Sequence, residues 1–190
     1  MLVGCSQQAK LADSSSKQEE ILLIHSTKEQ NDSRFYAFQQ RCISEIETMN
    51  RNPEKNLRKN WIKTLSSEGE QYFAPNWRFF KEKYGKYLSS AYNDWLKHLD
   101  ETERIVDDAA LLIEPDKLRT HVIYLENFVD QNRNFIAIPD VKARLKWYLD
   151  IYLNGLDNSP IYDHQTHIIF PKFKISYERF LSDFIRKQKF

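Results

Sequence analysis

Trp77-Arg78-Phe79-Phe80-Lys81-Glu82-Lys83-Tyr84-Gly85-Lys86-Tyr87-Leu88-Ser89-Ser90-Ala91-Tyr92-Asn93-Asp94-Trp95-Leu96-Lys97-His98-Leu99 decides the fold class. Its apolar residues Trp77, Phe80, Tyr84, Tyr87 or Leu88, Ala91, Trp95 and Leu99 recur at steps of three and four, the spacing that puts side chains on one face of an α-helix. The pattern continues weakly through Val106, Ala109 or Ala110 and Ile113, with poor definition over residues 100–103. It therefore predicts one long helix, or two with a break. Gly85 inside it weakens a helix by about 1 kcal/mol unless another element crosses close by, and we expect such a crossing.

The same period runs outward in both directions. Phe35, Phe38, Cys42, Ile46 and Met49 form a stripe on a helix that Asp32 or Ser33 could cap. Cys42 lies in that stripe and is expected to be a small buried hydrophobe rather than a reactive thiol. Asn52-Pro53 suits a helix start, with Leu57, Trp61 and Leu65 inward and an end near Gly69. Arg51, Lys55, Lys59 and Lys63 would then make a basic outer stripe able to touch anionic headgroups or an acidic partner, the plain alternative being a solvated face. Pro115 is expected to stop the long helix and Asp116 to cap the next, with Leu118, Val122, Leu125 and Val129 inward. Asp140 is expected to cap a helix burying Val141, Leu145, Tyr148 or Leu149 and Tyr152, ended by Asn154-Gly155 in a left-handed cap. A loop from Leu156 to Pro171 carries Ile168-Ile169-Phe170, expected to lie back on the core. Phe173, Tyr177, Phe180 and Phe184 mark the last helix. Ile21-Leu22-Leu23-Ile24 fits a short helix or a strand, and we take it as a helix.

With four glycines and six prolines in 190 residues, little interrupts these periods. The expectation is an all-α, bundle-like single domain of about six to seven helices over residues 17–190, after a disordered tether over residues 1–16. Formal charge is +1, from 28 basic and 27 acidic residues, which argues against a general affinity for nucleic acid or for a strongly charged surface. No stretch approaches the ~18 apolar residues of a membrane span.

Chemistry-bearing motifs are sparse. Gly-rich phosphate loops, the Gly-x-Ser-x-Gly elbow and the His-Glu-x-x-His helix are absent. Asp163-His164-Gln165-Thr166-His167 alone concentrates metal-ligand side chains, and Asp163, His164 and His167 could give three ligands to zinc, the ordinary alternative being a polar loop. His25, His98 and His121 are isolated, and core or surface roles are expected of them. No enzyme activity and no cofactor are expected. The 12 Phe, 10 Tyr and 4 Trp stand out instead, many of them adjacent, as in Phe79-Phe80, Trp147-Tyr148 and Tyr72-Phe73. A helix cannot bury both neighbours against one partner, so Phe79 and Trp147 join Lys55, Lys59 and Lys63 as a candidate binding surface, unless a thick bundle covers both sides.

Ahead of the helices, Leu2-Val3-Gly4-Cys5 precedes a polar tract from Ser6 to Glu20. The four residues resemble the lipobox of bacterial lipoproteins, in which the cysteine is lipidated and becomes the first residue of the mature protein. The resemblance implies lipid on Cys5, a membrane anchor and a location in the bacterial cell envelope, with the polar tract as a tether. It also implies a charged segment and about ten apolar residues encoded upstream of Met1. Three functions fit: an envelope-anchored helical module that binds a protein partner, a carrier of a small apolar ligand among aromatic-lined helices, and a metalloenzyme using Asp163 to His167. The first asks least of the sequence. A cytoplasmic helical protein is the alternative for its location.

Overall fold

A computed structural model describes residues 26–51, 61–65, 71–102 and 104–187, which hold six α-helices and two small two-stranded sheets. The all-α class expected from the helical period is the observed one. In chain order the elements are α1 (Lys28–Arg51), β1 (Trp61–Leu65), β2 (Gln71–Pro75), α2 (Trp77–Tyr84), a 3-10 turn (Gly85–Tyr87), α3 (Ser90–Glu101), β3 (Val106–Asp107), β4 (Ala110–Leu111), α4 (Pro115–Gln131), α5 (Ile138–Asn154) and α6 (Pro171–Lys187). They gather into two compact units, the division falling after Glu101; Leu65 and Gln71 group with the second. The tether, the Ile21–Ile24 segment and His25 lie outside the described residues, as do Asn52-Pro53, Leu57 and Gly69.

The first unit is built on aromatic rings. Phe35 of α1 meets Phe80 and Tyr84 of α2 and Tyr92 of α3, with ring centroids 5.8, 5.2 and 5.1 Å away. Tilted and edge-on contacts of this kind suit the ring quadrupoles and add about 0.5–1.5 kcal/mol each beyond the area they bury. Cys42 and Ile46 continue the stripe inward, as the period predicts. The cap of α1 differs from expectation. Thr27 Oγ1 accepts the Gln30 N–H at 3.3 Å while Gln30 Oε1 accepts the Thr27 N–H at 3.2 Å, a reciprocal capping box. Asp32 sits one turn further in, buried, where it does another job.

That job is to hold the break in what the period suggested as one helix. Phe80, Tyr84, Leu88, Trp95 and Leu99 are all buried, yet the helix stops at Tyr84 and restarts at Ser90. Ser89 caps α3 by accepting the Tyr92 N–H on its hydroxyl at 3.1 Å. Leu88 N–H donates to Gly85 O at 3.2 Å, and side chains meet further backbone groups of the break. Asp32 Oδ1 accepts the Ser89 N–H at 2.9 Å, Asn31 donates to Tyr87 O at 3.0 Å, and Asn93 donates to Gly85 O and Ser89 O at 2.8 and 2.9 Å. Burial pushes the Asp32 carboxyl above the usual range, and the Ser89 hydrogen bonds only partly offset it. Gly85 is thus not mid-helix, but the close approach expected there exists: a Cβ would stand 2.5 Å from Asn93 Oδ1.

Two further helical expectations are corrected here. Trp61–Leu65, expected on a helix, is β1 and pairs with β2. Trp61, Ile62 and Thr64 have the branched or aromatic side chains that suit a pleated strand, and the spacing of Leu57, Trp61 and Leu65 is coincidence. Asn50 clasps β2 to α1: its amide donates to Phe73 O at 3.0 Å and its oxygen accepts the Phe73 N–H at 2.7 Å. Past Glu101, the weak continuation through Val106, Ala109 and Ala110 is a hairpin, with Val106 opposite Leu111 and Asp107 opposite Ala110. Asp108 and Ala109 turn it at φ of 46° and 51°, the double left-handed conformation of a tight hairpin turn.

In the second unit α4 packs on both α5 and α6. Leu118, Val122 and Leu125 of α4, Val141, Tyr148 and Tyr152 of α5 and Phe173 of α6 are buried, as expected; Val129, Leu145 and Leu149 are only half-buried. The starts of α4 and α5 are corrected. Pro115 and Pro139 lie in the first turns of these helices, where a missing N–H costs nothing, and Glu114 and Ala137 occupy the cap positions in place of Asp116 and Asp140. Gly155 ends α5 with φ 77° and ψ −163°, a positive-φ stop but not the left-handed helical geometry expected.

The hydroxyl groups between α5 and α6 pair with one another and with the backbone. Tyr152 and Ser176 share a buried hydrogen bond of 2.8 Å, and the Tyr177 hydroxyl donates to Tyr152 O at 2.7 Å. Burial and the neighbouring Tyr152 push the Tyr177 phenol up to about 12, from 10.0. A raised folded pKa means that stability is fully present below the unfolded value and lost as pH rises through the folded one. Stability of the second unit should therefore fall between about pH 10 and pH 12, and Tyr177→Phe should flatten that decline in denaturant melts taken across the alkaline range.

Candidate functional site

Trp147 and Tyr148 are adjacent on α5 with ring centroids 5.3 Å apart, yet Tyr148 is fully buried while Trp147 is 42% exposed. One turn earlier, the Arg144 guanidinium carbon lies 6.0 Å from the centre of the Trp147 ring, within cation–π range, and 5.9 Å from that of Tyr148. The partly exposed ring thus lies against Tyr148 and beside Arg144. Phe79, its counterpart in the first unit, is half-buried, 6.2 Å from Phe80, with Lys83 Nζ 5.6 Å from its ring. Among the described residues, the large apolar side chains left exposed all belong to the second unit: Leu112, Ile136, Trp147, Leu153, Ile168, Ile169, Ile175 and Leu181.

The basic stripe is not what the helical spacing implied. Lys63 lies on β1, so it cannot continue a helical row with Arg51 at the end of α1. Lys55 and Lys59 lie outside the described residues, as does Cys5.

One carboxylate oxygen of Asp163 is engaged by its own loop. Its Oδ1 accepts the N–H groups of Gln165 and Thr166, at 2.9 and 2.7 Å, and the Thr166 hydroxyl at 3.0 Å. These donors hold its carboxyl below the usual range. His164 and His167 are exposed, their rings 5.1 and 6.2 Å from that of Tyr162. Among the described residues, no three His, Cys, Asp or Glu side chains are grouped to hold a metal. Ile168 and Ile169, expected on the core, are exposed instead, because the 156–170 loop closes on itself through its own hydrogen bonds.

An ion-pair cluster that the sequence did not suggest joins α4 to α6. Arg119 donates through Nε to Asp116 Oδ1 at 2.9 Å and through a terminal nitrogen to Asp183, while Arg179 reaches Asp116 Oδ2 at 3.1 Å. Together with Ile175, Glu178 and Ser182, three of these residues (Arg119, Arg179 and Asp183) line a cleft of about 450 Å³. The Arg119 hydrogen bonds hold Asp116 below the usual carboxylate range, so it stays ionised and is a poor proton donor near neutrality. Ser176 is no better placed as a nucleophile: its buried neighbour Tyr152 has a phenol raised by burial and stays protonated. In the first unit, Phe35 packs ring against ring with Phe80, Tyr84 and Tyr92, and Phe80 with Tyr84. His98, stacked on Trp95, and His121, beside Tyr148, are core residues. No protein-family model, curated protein or solved structure matches the chain.

Proposed function

We propose that the protein is an envelope-anchored helical lipoprotein whose second unit binds another protein through the surface around Trp147. The observation that carries the binding half is an exposed tryptophan fixed by an arginine on a well-packed helix. Trp and Arg are the residue types most enriched among those that dominate binding energy, and a ring already held in place loses little entropy on docking. The anchoring half is supported by the Leu2 to Cys5 lipobox resemblance and the polar tract behind it. None of the described helices is long and apolar enough to cross a membrane.

The anchor is tested on the chain expressed in a bacterium from its full upstream reading frame. Intact mass should show acyl chains on Cys5 in the membrane fraction, and Cys5→Ser should move the protein to the soluble fraction. Two chains suffice for stable attachment, at about 0.8 kcal/mol per buried methylene. An unmodified Cys5, or a stop codon in frame just upstream of Met1, removes the anchor from this reading.

A further inference from the structure

We propose that the tip of the 156–170 loop, with the first turn of α6, is a contact site for an anionic lipid surface. The chain runs out from Gly155 and returns on itself. Tyr162 bridges Ile169 in antiparallel fashion, Asp163 N–H donates to Ile168 O at 3.0 Å, and Phe170 N–H donates to Ile161 O at 2.9 Å. Three donors on Asp163 Oδ1 brace the turn, and His167 closes it at a φ of 56°. This braced tip presents Ile168 at 66% and Ile169 at 41% exposure. A connector needs no isoleucine there, and a polar residue in either place would save the cost of wetting an apolar side chain.

The charge beside these isoleucines indicates what covers them. Lys172 and Lys174, both exposed, lie in the first turn of α6 just ahead of Ile175, itself 48% exposed, with Lys172 Nζ 5.7 Å from the Phe173 ring. Asp163 is the acidic side chain from Tyr162 to Ser176, and its donors are within the loop; exposed Glu178, one turn on, shares the α4–α6 cleft with Ile175, and His164 and His167 flank the Tyr162 ring. Apolar side chains that dip into the acyl boundary, an aromatic with a polar tip, and lysines at headgroup level are the combination that binds an interface. A protein pocket would take the isoleucines equally well but gives no reason for the paired lysines. The site is independent of lipid on Cys5.

The test uses the full chain carrying Cys5→Ser, so that no acyl chain contributes, in co-sedimentation with vesicles of phosphatidylglycerol and phosphatidylcholine or of phosphatidylcholine alone. The protein should sediment with the anionic vesicles, less so as salt rises, and little with the neutral ones. Ile168→Ser with Ile169→Ser, and separately Lys172→Glu with Lys174→Glu, should each weaken binding at least about tenfold while leaving helical circular dichroism unchanged. A parent chain that stays in the supernatant, equal binding to neutral vesicles, or folded variants that sediment like the parent would overturn the proposal.

Discussion

Trp95→Ala should destabilise the first unit by about 3–5 kcal/mol, a large share of the about 5–15 kcal/mol that separates a typical domain from its unfolded chain. Trp95 is among the largest fully buried side chains, stacked on His98 with ring centroids 5.8 Å apart and planes within 14° of parallel. Truncation removes the transfer free energy of the indole and leaves a void that neighbours on short, capped helices cannot close. Lys97→Ala, two residues along the same helix, breaks only an exposed ion pair with Glu101 at 3.8 Å and should shift stability by no more than about 0.5 kcal/mol. Urea melts followed by circular dichroism check both variants. If Trp95→Ala melts with the parent, the ring is not part of a packed core.

The second large effect is expected at the end of α5. Gly155→Ala should cost about 3 kcal/mol, because two penalties coincide. At φ 77° and ψ −163° the backbone occupies a region that is open in practice to glycine alone. An added Cβ would also stand 2.8 Å from Ser159 O and 3.0 Å from Ile161 N. Both are backbone atoms, and Ser159 O is already committed to the Leu156 N–H at 3.1 Å, so the neighbour cannot step aside cheaply. Gly85→Ala should cost less, about 1–2 kcal/mol: φ there is −53°, and the obstructing atom is the side-chain oxygen of Asn93, which can swing away at the loss of its hydrogen bonds to the break. A Gly155→Ala melt unchanged from the parent would contradict the geometry at the end of α5.

The helical period placed Phe35, Phe80, Tyr84, Trp95, Leu118, Val122 and Leu125 in the core, but it missed Tyr92 and Leu96, left Ala91 and Leu145 only half-buried, and was a poor guide to where helices end. Leu88 keeps its place in the four-residue rhythm between Tyr84 and Tyr92 although the chain around it is extended, since an inward side chain can be supplied by a break as well as by a turn of helix. The break is held by Asn31 and Asp32, distant in sequence, and no local pattern announces such partners. The cap of α1, by contrast, stands openly in Thr27-Lys28-Glu29-Gln30, a Thr with Gln three residues on. β1 was legible too, in Trp61, Ile62 and Thr64 and the glycine-containing stretch before Gln71. The exposure of Trp147 follows from its adjacency to Tyr148, because a helix face can bury one of two neighbours. Of the Arg119 cluster, the Asp116–Arg119 pair is an i,i+3 pair within α4 and was open to reading, whereas the pairs to Asp183 and Arg179 form only once α4 and α6 face each other.

The binding surface around Trp147 is tested most directly by a photo-crosslinking residue at that position, with a second at Lys97 as control, in the anchored protein within living cells. We expect one discrete crosslinked protein from position 147, lost when Arg144→Ala is added, and no such product from position 97. The opposite result, no product at 147 under conditions that label neighbouring lipid or solvent, would show that the exposed tryptophan is not a docking point and would remove protein binding from the account.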